Sequence, residues 1–191
     1  MAYYTETELA QLGFKSLGKN IKISDRARIY DRKKIEIGDN VRIDDFCVIS
    51  GKVIIGSYNH ITPMCLIAGG EPGVFLSDFC TLAYGVIVFA QSDDYSGASM
   101  VSSVIPKKYK REIMEPVIVG RQTVFGTRSV VMPGVEVADG CSFGAMSLVI
   151  KSTDPWGIYA GQPAQRIGER KKDLIGLEEN FLRDIKHAAP Q

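Results

Sequence analysis

The sequence predicts an all-β solenoid, a coil of short strands stacked rung upon rung. Two columns of residues carry that prediction. In IGDNVRIDDFCVISGKVIIGSYNHITPMCLI (37–67) an isoleucine stands at 37, 43, 49, 55, 61 and 67, always six apart. Four places after each anchor comes a compact residue: Val41, Cys47, Val53, Asn59, Cys65, Cys80, Val86, Thr123, Ser129, Val135, Cys141 and Ser147. An amphipathic helix repeats near 3.6 residues and a half-buried strand near 2, so a period of six belongs to neither. It suits a prism whose flat faces each pack one large residue inward per rung and whose corners admit only small ones.

Taken in order, Thr5-Glu6-Thr7-Glu8 reads as a capping box opening a short helix toward Leu12, and residues 1–16 form a helical cap. The anchors then run Leu17, Ile23 and Ile29, and after a two-residue insertion Ile37 to Ile67. Three extra residues around GGEPG precede Leu76, Leu82 and Val88. The stretch 90–116 breaks the period and is read as an excursion loop, because a loop of that length is uncommon unless functional or disordered. Val119, Phe125, Val131, Val137, Phe143 and Val149 restore the frame, so the solenoid spans 17–153. Gly18, Gly38, Gly56, Gly120, Gly126 and Gly144 directly follow anchors, which marks that place as the turn-permissive one. Residues 154–191 hold an exit turn and a terminal helix, with Leu174, Leu177, Phe181 and Ile185 at helical spacing. Helices at both ends would cover otherwise unpaired strand edges.

Composition narrows the function classes. The chain is 45% hydrophobic and 24% charged, with 23 Lys plus Arg against 22 Asp plus Glu, which gives no reason to expect nucleic acid or an anionic membrane as partner. No apolar run approaches the ~20 residues that span a bilayer, so membrane insertion is not expected. MAYYTETELAQL is acidic and lacks a signal-peptide layout, which reads as cytoplasmic. All four cysteines lie in the compact column without a CxxC pair and read as buried thiols in a reducing compartment. Histidine is limited to His60 and to His187, in a polar tail.

The LGxxxx, IGxxxx and VGxxxx repeats with Ser, Thr, Ala, Val or Cys at the fifth place resemble the hexapeptide-repeat acyltransferases, in the branch acting on sugars, over 17–153. That resemblance implies a left-handed parallel β-helix of three hexads per coil, a homotrimer, and acetyl-CoA as acyl donor. YAGQPAQ, with Gly161 and Pro163, matches the family's AGxPA turn. Carbonic anhydrases of the same shape bind zinc through several histidines, a set that two histidines cannot supply, so no metal is expected.

Site residues follow from the same resemblance. The family's catalytic histidine, just beyond the end of a coil, is replaced at that place by Asp93, with Asp94 beside it. An unperturbed carboxylate near pKa ~4 is a weak base for a sugar hydroxyl, where imidazole near ~6.5 is better matched. An amine, once neutral, is already nucleophilic and needs only orientation and a proton acceptor, so Asp93 favours an amino-sugar acceptor. His60 is a rival base, and a bland alternative makes Asp93 and Asp94 the start of a turn before Ser96-Gly97. Asp44 and Asp45 follow the anchor Ile43, are expected to face outward, and with Tyr95 are candidates for acceptor binding. Thr127 and Ala145 would line the coenzyme groove, where backbone N–H groups can face the thioester oxygen. Lys151 matches the lysine ending the last coil. The family's phosphate-binding arginine aligns with Gly168, with Arg166 and Arg170 to either side as candidates. The basic run PKKYKRE (106–112) reads as a solvated face.

These residues predict an acetyl-CoA-dependent acetyltransferase acting on a sugar, in particular N-acetylation of a nucleotide-linked amino sugar for surface polysaccharide by direct attack on the thioester. O-acetylation of a saccharide hydroxyl and a non-catalytic scaffold are the alternatives, and fold alone does not choose among them.

Overall fold

The computed structural model describes residues 2–188. Three parallel sheets form the faces of a prism. The first face stacks Ser16–Leu17, Ile35–Ile37, Val53–Ile55, Val74–Leu76, Val117–Val119 and Glu136–Val137. The second begins with Lys22–Ile23 and Arg42–Ile43 and ends in Gly157–Ala160 and Gln165–Glu169; the third runs from Arg28–Ile29 to Leu148–Val149. Every six-residue anchor falls in register with the anchor one coil away, as in Ile37↔Ile55, Phe125↔Phe143 and Val88↔Val131. The loop 90–116 does not disturb this: Leu76 pairs with Val119 as though the two segments were contiguous.

The compact column is wholly buried, and its polar members are satisfied there. Asn59 Nδ2 donates to the Gly56 and Ser77 carbonyls at 2.8 and 2.9 Å and its Oδ1 accepts from the Cys80 amide at 2.7 Å. Ser129 and Ser147 bond the carbonyls of Gly126 and Gly144. Buried polar groups paired in this way escape the cost of lost hydration.

The glycines after the anchors serve a different purpose from the one their position suggests. The left-handed conformation falls two residues later, at Asn40, Phe46, Tyr58, Met64, Phe79, Gln122, Arg128 and Met146, with φ between 57 and 66°. At the glycines themselves a side chain would strike the next coil: a Cβ on Gly38 would stand 2.8 Å from the Gly56 carbonyl carbon, and one on Gly126 2.5 Å from the Ala145 nitrogen. Close approach of coils, not free rotation, requires them.

Both ends are covered. Helix α1 (Glu6–Gln11) has the capping box, with Thr5 and Glu8 bonded reciprocally, and buries Leu9 in the core. Tyr3 bridges Ser24 in antiparallel fashion, which closes the edge of the second face. At the other end Gln165–Glu169 folds back antiparallel on Gly157–Ala160, a hairpin that the expectation of an exit turn followed by a helix does not contain. Helix α2 (Asp173–Ala188) packs Phe181 edge-on against Tyr58 and Phe79, while Glu178 holds Arg121 and Gln122.

Candidate active site

Asp93 lies where the chain leaves the third face. Gln91–Ser92 pairs antiparallel with Ile113–Met114, so the excursion loop is pinched at its base and folds over the corner between third and first faces. A cavity of about 390 Å³ opens there, lined by Asp31, Gly51, Gly70, Asp93, Lys110 and Glu112 among others. Asp93 Oδ2 accepts from the Ser102 amide at 3.2 Å. Its Oδ1 is buried and receives no hydrogen bond, with the Lys110 ammonium at 3.3 Å.

Asp94 does not share that cavity. Its Oδ1 accepts from the Ser96 amide at 2.8 Å and its Oδ2 from the Ser99 hydroxyl at 3.1 Å, bonds that hold its carboxyl below the usual range. Asp94 therefore starts the turn, as the bland alternative has it, and is set aside as a base; Asp93 does not fit that alternative. Tyr95 next to it is 81% exposed.

His60 is not near this corner, being on the second face between Arg42 and Thr81. Its Nε2 lies 2.9 Å from Asp44 Oδ2, while Asp44 Oδ1 accepts from Arg42 Nε at 2.7 Å and from the Tyr3 hydroxyl at 3.2 Å. Asp44 was expected to face outward; it is 2% exposed, because the N-terminal segment carries Tyr3 across it. Burial raises its pKa, but the hydrogen bonds from Arg42 and His60 outweigh burial and hold the carboxyl below its ordinary value. This is a satisfied structural network, which removes Asp44 from the acceptor-binding candidates. Asp45 is tied to the Ser24 hydroxyl.

Thr127 and Ala145 stack one coil apart at the corner between second and third faces, where the Met146 amide donates to the Thr127 carbonyl at 2.7 Å. Among the described residues the amides of Thr127 and Ala145 donate no hydrogen bond within the chain. Two adjacent amides without an internal acceptor suit an oxyanion or carbonyl oxygen from outside. Lys151 is exposed just beyond the last third-face strand. Arg166 is held by Glu169 at 2.7 Å and lies 3.7 Å from Asp154. Arg170 is occupied: its Nη1 donates to the carbonyls of Gln122, Gly140 and Cys141, and burial lowers its pKa. Capping carbonyls leaves it a structural role instead of a phosphate-binding one.

In one chain, then, Asp93 and the Thr127–Ala145 amides lie at opposite edges of the third face.

The family model "Bacterial transferase hexapeptide (six repeats)" matches residues 34–69. The Escherichia coli dTDP-4-amino-4,6-dideoxy-D-glucose acyltransferase is 39% identical over 184 residues, 95% of either chain. That extent decides the matter. The chain belongs to the hexapeptide-repeat acyltransferases. A solved structure of AntD, an N-acyltransferase from Bacillus cereus, in complex with dTDP and 3-hydroxybutyryl-CoA, superposes with TM-score 0.95 at 42% identity, covering 96% of this chain and 98% of that one. A variant of AntD holding dTDP-4-amino-4,6-dideoxyglucose and coenzyme A matches with TM-score 0.94 at 43% identity, over 95% and 97% of the two chains. The left-handed helix expected of the family is the fold of this acyltransferase.

The sequence of this acyltransferase gave no warning of Lys110 or Glu112. The run 106–112 reads as solvated, yet the Lys110 side chain is only 6% exposed. Its burial arises from how the loop folds back on its own base, which no local pattern records.

Proposed function

We propose that the protein is an N-acyltransferase that moves the acyl group of a coenzyme A thioester, acetyl in the first instance, to the amine of a dTDP-linked 4-amino-4,6-dideoxy sugar. It works as a homotrimer with sites at the subunit seams. The observation that carries this reading is the Asp93 cavity. It sets three carboxylates, Asp31, Asp93 and Glu112, against the single ammonium of Lys110, a balance that favours a cationic or proton-shedding amine over a neutral hydroxyl. The near-complete overlap with acyltransferases of amino sugars carried on dTDP supports the acceptor class.

The chemistry follows from the placement of groups. Acyl-CoA supplies an activated thioester. The acceptor amine attacks its carbonyl carbon, forming a C–N bond, and the Thr127 and Ala145 amides of one subunit hold the developing oxyanion. Asp93 of the adjacent subunit orients the amine and takes its proton; the C–S bond then breaks, coenzyme A leaves as thiolate and is protonated. Lys151 and Arg166 are proposed to meet the coenzyme phosphates, and Tyr95 and Asp45 the acceptor. We place the step in the cytoplasm, in surface-polysaccharide assembly, where both substrates are made.

The test is an assay with acetyl-CoA and dTDP-4-amino-4,6-dideoxyglucose, run beside the 4-hydroxy analogue. Acetylation of the amine alone, seen by mass spectrometry, is expected; efficient turnover of the hydroxyl compound would replace this reading with O-acylation, and no turnover of either with any thioester would leave a scaffold. A second reading concerns the acyl group. The 3-hydroxybutyryl-CoA held by AntD makes that thioester the competitor to include.

A further inference from the structure

Lys110 is buried in a run of otherwise exposed basic residues. Its ammonium lies 3.0 Å from Glu112 Oε1 and 3.3 Å from Asp93 Oδ1, and Gln91 Nε2 donates to the same Glu112 oxygen at 3.0 Å. Burying a lysine costs hydration and rotamer freedom, so an unpaired one would tend to lose its proton. Here the bond to Glu112, assisted by the contact with Asp93, outweighs burial and raises the Lys110 pKa, so the side chain stays charged. The pinched base of the loop, Gln91–Ser92 against Ile113–Met114, brings these residues together from either end of the excursion.

The contact with Asp93 has an informative geometry. Lys110 is close enough to act as a charge, yet Asp93 Oδ1 accepts no hydrogen bond. An ammonium against one carboxylate oxygen restricts the rotamer of the side chain, so the exposed remainder of Asp93, whose side chain is 35% exposed, is presented to the cavity in one orientation. We infer that Lys110 is a positioning residue for acyl transfer, holding the buried Oδ1 of Asp93 so that the exposed part of the carboxylate is aimed at the acceptor amine, with Glu112 and Gln91 holding Lys110 in place. This rests on the assignment of Asp93 as proton acceptor. The charged groups facing Asp93 are Lys110, Glu112 and Asp31 in the cavity; Asp94 and Arg111 border the neighbouring cavity.

Lys110→Met frees the Asp93 carboxylate, so kcat at pH 7 falls about tenfold or more, with KM for acetyl-CoA little changed. Glu112→Gln loosens Lys110 and is expected to lower kcat in the same direction but less. Lys110→Arg keeps the charge and is expected to restore most of kcat. A merely structural lysine would lower stability without separating kcat from KM. In an Asp93→Asn background Lys110→Met should cost little more. The inference is overturned if Lys110→Met keeps wild-type kcat, or costs as much in the Asp93→Asn background as in the wild type. Should Lys110→Met fail to fold, Glu112→Gln and Lys110→Arg carry the test. Full activity of Asp93→Asn alone would instead remove the assignment on which the inference rests.

Discussion

Asp44 and Asp93 both stand beside cations, and they differ in how far they are satisfied. Asp44 receives hydrogen bonds from Arg42, His60 and Tyr3 and is 2% exposed. Asp93 receives one, from the Ser102 amide, and keeps a buried oxygen with only a nearby charge. A carboxylate with all its lone pairs engaged locks structure; one left partly unengaged inside a cavity is equipped to accept a proton. The difference teaches that an aspartate next to a histidine is not by itself a catalytic pair.

The largest expected effect separates the two by activity. Asp93→Asn should lower kcat by about 10²–10⁴-fold with the melting temperature nearly unchanged, the range usual for loss of a general base. Steady-state kinetics beside thermal unfolding reads both; a variant that keeps wild-type kcat would equate Asp93 with a turn residue.

Asp44→Ala should do the reverse. Removing one partner of a buried network costs about 3–5 kcal/mol of stability, read by denaturant unfolding, while turnover below the melting point persists. The pH dependence has a definite sign. Because the Asp44 pKa is lowered by folding, its contribution is complete above the unfolded value near ~4 and is lost as pH falls through the lower folded value. The stability gap between wild type and Asp44→Asn should therefore narrow below about pH 4. A gap independent of pH would show that the charge on Asp44 is irrelevant.

Gly126→Ala sharpens the account of the coil on which both sites depend. With a Cβ 2.5 Å from the Ala145 nitrogen, it should cost about 1–3 kcal/mol, whereas the same change at a glycine kept only for its turn would cost less. Wild-type unfolding would return that position to a turn role.

The smallest effect is expected at Asp94. Asp94→Asn preserves an acceptor for the Ser96 amide, so activity should stay within about threefold and stability within about 1 kcal/mol. A steep loss of turnover would put Asp94 back beside Asp93.

How much of this was legible beforehand follows from where the information lies. The anchors and the compact column are set by a repeat in which each residue meets its counterpart one coil away, so period alone locates Ile61 above Ile43 and below Leu82. The role of the anchor glycines is not legible in the sequence, because coil-to-coil distance does not show in a linear pattern. Asp93 is singled out only by resemblance to the family, whose catalytic residue stands just past the end of a coil. Lys110 is not singled out at all, since its neighbours are set by a loop that folds outside the repeat. Asp44 is hidden for a related reason: its place after an anchor points it outward, and Tyr3, some forty residues away, covers it.

The central claim is that Asp93 from one subunit and the Thr127–Ala145 amides from its neighbour meet around an acceptor amine. The most direct measurement is a crystal structure with coenzyme A and the dTDP-linked amino sugar bound together. The account predicts the amine nitrogen about 2.6–3.2 Å from an Asp93 oxygen, across a seam from those two amides. An amine placed instead against His60, or out of reach of every Asp93, would contradict it.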